Sequence, residues 1–124
     1  MKKESEALIQ QEIFNWFNNN YCLEKHNPRL IIYSVPNGST TGDPRIIKMM
    51  TLLGMVKGVS DLKIEGVNGR TISVEVKTST GTQSKDQIDI EKRIKNLGGI
   101  YILSRSLEEF QSQIKNHLLY LSNP

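Results

Sequence analysis

The chain has one cysteine, Cys22, and two histidines, His26 and His117. A lone thiol excludes a disulfide framework, and three such residues fall short of a Cys/His zinc site. Aromatics are scarce. There are eight, Trp16 being the one tryptophan, and no alternation of aromatic and basic residues marks an oligonucleotide channel. No apolar run approaches the roughly 20 residues of a membrane span. Met1-Lys2-Lys3 leads into a polar stretch rather than the apolar core of a signal peptide. The expectation is a soluble cytoplasmic protein with no membrane partner. Charge of one sign is also nearly absent: 16 Lys and Arg against 13 Asp and Glu leave +3. Such a balance permits an anionic partner without demonstrating one. There are no repeats and no linker, so the 124 residues read as a single domain large enough to bury a core.

What is present is a clear succession of periodic segments. From Glu4 to about Asn20 the apolar residues Ile9, Ile13, Trp16 and Phe17 recur at helical spacing. Leu30 to Val35 reads as a strand ended by the turn Pro36-Asn37-Gly38. Asp43-Pro44 caps and opens a second helix that closes at Gly54. Strands over about Asp61–Glu65 and Thr71–Lys77 flank Asn68-Gly69. Ser84 opens a third helix ending at Gly98-Gly99, Ile100 to Leu103 is a fourth strand, and Ser106 with Glu109 opens a last helix striped by Leu107, Phe110, Ile114 and Leu118. The order α-β-α-β-β-α-β-α predicts an α/β fold, a mixed sheet flanked by helices.

The hairpin poses a register problem. Asn-Gly usually marks a two-residue turn, which would pair Leu62 with Glu75 and mix the faces of both strands. Placing Asp61 across from Glu75 resolves the pattern. Leu62 and Ile64 then share one face with Ile72, Val74 and Val76, while Asp61, Lys63 and Glu65 share the other with Ser73, Glu75 and Lys77. Because a slip of one residue turns every side chain over, burial selects this register and predicts a loop of odd length.

Two facing carboxylates repel unless a proton or a cation lies between them. Oxygen ligands without nearby His or Cys suit Mg²⁺ or Mn²⁺. Magnesium retains water, which can serve as the nucleophile in phosphodiester hydrolysis, and Lys77 would supply positive charge beside it. By itself, though, Asp…Glu-x-Lys is equally a common pattern of solvated strands.

The surrounding blocks are more specific. Asn37-Gly38, Gly54-x-x-x-Gly58-Val59-Ser60-Asp61-Leu62, Val74-Glu75-Val76-Lys77-Thr78 and Gly81-x-x-Ser84-x-x-Gln87 resemble the VRR-NUC nuclease family, part of the PD-(D/E)xK superfamily of restriction-endonuclease-like folds. The match runs from about Glu6 to Phe110. Ser60 departs from the proline often found before the aspartate, which alters no metal ligand. The resemblance implies a Mg²⁺-dependent endonuclease acting on DNA, with Asp61, Glu75 and the Val76 carbonyl as metal ligands and Lys77 as catalytic lysine. It further implies branched substrates such as four-way junctions, and a homodimer.

Such nucleases also carry a glutamate on the first helix, for which Glu4, Glu6 and Glu12 are candidates. Taking the buried stripe to centre on Ile13, Glu6 falls about 20° away, Gln10 about 60° and Glu12 about 100°. The family's Glu followed four residues later by Gln also lands on Glu6 and Gln10, so Glu6 is assigned to the metal and Gln10 to the substrate side. A helix N-terminal acid serving only the macrodipole is the competing reading of Glu6. Gln87 likewise has two readings, the far half of a capping box with Ser84 or an active-site amide, which the resemblance favours. Asn37 and Ser84 fall on the substrate side by resemblance. Arg45, Lys48 and Lys57 are candidates for DNA phosphates. The alternative to an enzyme is a non-catalytic nucleic-acid-binding or assembly subunit on the same fold.

Overall fold

The computed structural model describes residues 5–36 and 42–124. The N-terminal helix, α1 (Glu6–Tyr21), is capped by Ser5, whose side chain accepts from the Leu8 amide, and it buries Ile9, Ile13 and Phe17. Strand β1 (Ile31–Ser34) follows, then helix α2 (Pro44–Leu52). The Asp43 side chain caps α2 by accepting from the Arg45 amide, and Pro occupies its first turn. Strands β2 (Leu62–Glu65) and β3 (Thr71–Val76) form the hairpin. Helix α3 (Lys85–Asn96) opens on a complete Ser84–Gln87 capping box, and β4 (Ile100–Ser104), α4 (Leu107–Lys115) and α5 (Leu118–Ser122) complete the chain.

The sheet order is β1-β2-β3-β4. The first three strands are antiparallel neighbours, and β4 returns parallel to β3 after the α3 crossover. Leu62 lies opposite Val74 and Ile64 opposite Ile72, the register that burial of the apolar face requires. Between Glu65 and Thr71 the loop has an odd number of residues, as expected. It forms a single 3₁₀ turn (Val67–Gly69), with Asn68 at φ 57° and Gly69 at φ 71°. Asn and Gly are the residues that enter this left-handed region most readily, so the Asn-Gly signal marks the turn while burial sets its length.

The apolar face is covered by α1 and α4, which also touch each other. Leu62, Ile64, Ile72, Val74, Val76, Ile13, Phe17, Phe110 and Ile114 are all fully buried there. Each such side chain contributes about 1.5–3 kcal/mol by leaving water. Trp16 stands edge-on to Phe110 at 6.1 Å, part of the core rather than a platform for bases.

Two expectations need correction. The last helix does not run unbroken through Leu118. It ends at Lys115 and restarts after His117, a break that brings Leu121 into full burial. The same break presents the Tyr120 and Asn123 carbonyls to Arg70 Nη1, at 2.9 and 2.7 Å. The Ser106 box is also only half formed as expected. Ser106 Oγ accepts from the Glu109 amide, but the Glu109 carboxylate accepts from the amide of Arg105, one residue earlier.

Helix α2 buries none of its nine residues. Ile46, Met49, Leu52 and, just beyond it, Leu53 are all exposed. Among the described residues, no helix is long and apolar enough to cross a membrane.

Candidate active site

The register sets Asp61, just before β2, across from Glu75 in β3. Asp61 is fixed by backbone on two sides: its Oδ2 accepts from the Val76 N–H at 2.8 Å, and its carbonyl accepts from the Val35 N–H at 2.9 Å. The residues leading into it are equally constrained. Gly58 has φ +88°, and a Cβ there would lie 2.3 Å from the Asp86 carbonyl oxygen in the first turn of α3. Only glycine lets this segment lie against that helix end. Ser60, also buried, donates from Oγ to the Leu62 carbonyl at 3.1 Å.

Glu75 is 1% exposed, about as buried as the apolar core. The Tyr101 hydroxyl donates to its Oε2 at 3.1 Å, and Gln83 Nε2 donates to the Tyr101 oxygen at 3.3 Å. Among the described residues no donor reaches Glu75 Oε1. Burial, and then the neighbouring Asp61 carboxylate, push the Glu75 carboxyl up to about 9, against weaker opposing pulls from Tyr101 and Lys77. Without a cation, Glu75 therefore holds a proton at neutral pH. Burial and the adjacent Glu75 raise the Tyr101 phenol as well, keeping it a hydrogen-bond donor.

Lys77, next but one along from Glu75, is 7% exposed, and its amide donates to the Ser104 carbonyl at 3.0 Å. A Cβ on Gly81 would sit 3.6 Å from Lys77 Cδ, so loop 78–81 lies along the lysine stem. Arg105 secures that loop, its Nη1 donating to the carbonyls of Thr78 and Gly81 at 2.7 and 2.6 Å.

Asp61, Glu75, Val76 and Lys77 thus come together. The other expected residues fare differently. Gln10 lines a cleft of about 390 Å³ with Ser34 and Leu62. Glu6 is exposed on the first turn of α1. Among the described residues no third His, Cys, Asp or Glu joins the pair in one cluster, so Glu6 stands apart from it here. Gln87 acts as the helix cap, its Oε1 accepting from the Ser84 amide at 2.8 Å while Ser84 Oγ accepts from the Gln87 amide at 3.2 Å. Both sit at the helix end that Gly58 touches. Arg45, Lys48 and Lys57 are exposed, and Arg45 pairs with Asp43 at 3.4 Å. Asn37 lies outside the described residues.

The donor set fits a hard divalent cation. Two carboxylates face each other, and Glu75 Oε1 lacks a donor among the described residues, which is costly unless something positive meets it. With no third acidic side chain beside them among the described residues, the remaining positions fall to backbone carbonyl and water, the manner in which Mg²⁺ is usually held. Sequence reading passed over Tyr101, Gln83 and Arg105. Tyr101, in β4, pairs with Ser73 of β3 and so lies on the face that carries Glu75, a placement that only the strand pairing reveals.

No protein-family model matches the chain, and no curated protein matches it. Among solved structures, one described as a "VRR_NUC domain protein" is similar, with a TM-score of 0.72 at 16% identity, over 98% of this chain and 93% of that one. At that identity the likeness concerns the fold: the chain has the mixed α/β architecture of a VRR-NUC domain.

Proposed function

We propose that the protein is a Mg²⁺-dependent endonuclease that hydrolyses phosphodiester bonds of DNA. The observation that carries this reading is Asp61 facing a buried Glu75 whose Oε1 has no donor among the described residues, with buried Lys77 on the same strand face. The similarity in fold to a VRR_NUC domain protein agrees with it. Asp61, Glu75 and the Val76 carbonyl hold the ion, Mn²⁺ substituting for Mg²⁺. When bound, the metal supplies a water activated at neutral pH and neutralises charge on the scissile phosphate.

The chain's own residues position and compensate. The Asp61 carboxylate, braced by the Val76 amide, keeps its orientation without rearrangement. The Lys77 ammonium, confined by its buried stem, orients the attacking water and offsets the negative charge that grows on the phosphate. Gln87, half-buried at the α3 start, directs its remaining amide donors to the phosphate, with Ser84 beside it. Glu6 and Gln10 on α1 border the substrate. Arg45, Lys48 and Lys57 meet flanking phosphates, which fix register rather than read sequence.

Contacts of this kind, made to phosphates rather than base edges, favour recognition of DNA shape and branched substrates such as four-way junctions. Cutting two strands symmetrically calls for two equivalent sites, hence a homodimer. The exposed apolar side chains of α2 support that reading, being the kind of surface a second copy would cover.

The test is cleavage of a labelled panel (four-way junction, flap, duplex, single-stranded DNA and RNA) in Mg²⁺, Mn²⁺ or EDTA. Metal-dependent cutting strongest on the junction is expected. Binding without cutting under every metal would make the protein a non-catalytic subunit.

A further inference from the structure

Resting on the metal-site reading above, we propose that Tyr101 is a positioning residue which, held by Gln83, ties down one oxygen of Glu75 and leaves a single oxygen to face the cation. A tyrosine hydroxyl has one proton. Because its oxygen already accepts from Gln83 Nε2 at 3.3 Å, that proton is committed to Glu75 Oε2, at 3.1 Å. Oε1 of the same carboxyl has no donor among the described residues. The division of labour between the two oxygens is thus set by the protein before any ion arrives. Once a cation takes the place of the Glu75 proton the acceptor is charged, and in so buried a place that hydrogen bond becomes strong and holds the carboxylate against rotation.

This arrangement has a consequence for ion choice. A carboxylate with one oxygen held by a hydrogen bond presents the other first to an ion, which favours coordination through one oxygen. That suits the small octahedral shell of Mg²⁺ or Mn²⁺, whereas Ca²⁺ tolerates larger, irregular shells and commonly takes both oxygens of one carboxylate. Tyr101 would therefore favour the smaller ions, a role distinct from filling space.

Calorimetric titration of the full chain with Mn²⁺ and with Ca²⁺, without DNA, tests this. Tyr101→Phe keeps the ring and removes only the hydroxyl. It should weaken Mn²⁺ binding about tenfold, the usual scale for a group that orients a ligand, and Ca²⁺ binding by less than about threefold. Gln83→Ala should shift the ratio in the same direction by a smaller factor, and it decides the matter if Tyr101→Phe does not fold. Equal weakening for both ions, or none, would overturn the proposal. Glu75→Gln provides the control. If it abolishes Mn²⁺ binding while Tyr101→Phe and Gln83→Ala bind as wild type, only the role of Tyr101 falls. If Glu75→Gln binds unchanged, the metal site itself is elsewhere and both readings fall.

Discussion

The two faces of β3 are equally hidden from water yet differ in what they hide. One carries Ile72, Val74 and Val76, fully buried against α1 and α4; the other carries Ser73, Glu75 and, one residue past the strand, Lys77, at 1%, 1% and 7% exposure. Burying the first set stabilises the fold. Burying the second opposes it, because an acid and an ammonium lose hydration that their neighbours only partly replace. A strand with such a face is kept for something other than stability, and the polar face is where, among the described residues, an oxygen without a donor remains. Stability and chemistry are therefore separable by side chain along one strand.

The largest expected effect comes from Glu75→Gln, which should lower the cleavage rate about a thousandfold, or about 4 kcal/mol of transition-state stabilisation. Its thermal stability without metal should not fall, since the amide replaces a carboxyl that is already protonated. A variant that cut normally would remove the polar face from the mechanism. Next, Ile64→Ala, on the apolar side of the sheet, should cost about 2–5 kcal/mol in urea unfolding, with the turnover of the folded fraction retained. Equal losses of stability from both variants would erase the contrast between the faces.

The register behind this contrast was legible in the sequence, because alternating apolar residues tolerate one pairing only. The Asp61–Glu75 pair followed from it. Tyr101 was not legible, since Ile100-Tyr101-Ile102-Leu103 reads as one apolar run until its parallel pairing with β3 is known. Gln83 and Arg105 act across loops whose path no local pattern specifies. The break at Asn116–His117 carries neither Gly nor Pro; it answers to the burial of Leu121, a tertiary demand.

A smaller effect concerns pH. Glu75 is raised to about 9 in the folded protein from an ordinary value of 4.5, so between those values the folded state binds the extra proton. The stability this proton contributes to the metal-free protein should be fully present below pH 4.5 and decline as pH climbs toward 9. Saturating Mg²⁺ should flatten the decline, and Glu75→Gln should remove it. Melting curves across that range, with and without EDTA, check this; a rise instead would contradict the protonated state of Glu75. Ser84→Ala should cost about 1 kcal/mol by removing the α3 cap. A drop in cleavage far larger than the fraction unfolded would place Ser84 and Gln87 against the substrate. Smallest of all, Arg45→Ala with Lys48→Ala should weaken junction binding a few-fold and lower the salt slope by about one for each phosphate the variant no longer neutralises. No change in that slope would leave these side chains as solvated surface.

The most direct measurement compares wild type and Lys77→Ala on a labelled four-way junction in Mg²⁺, each checked by its melting curve. Cutting abolished in a variant that still folds and still binds the junction is the expected result. Cutting at the wild-type rate by Lys77→Ala would contradict the assignment of catalysis to the polar face of the sheet.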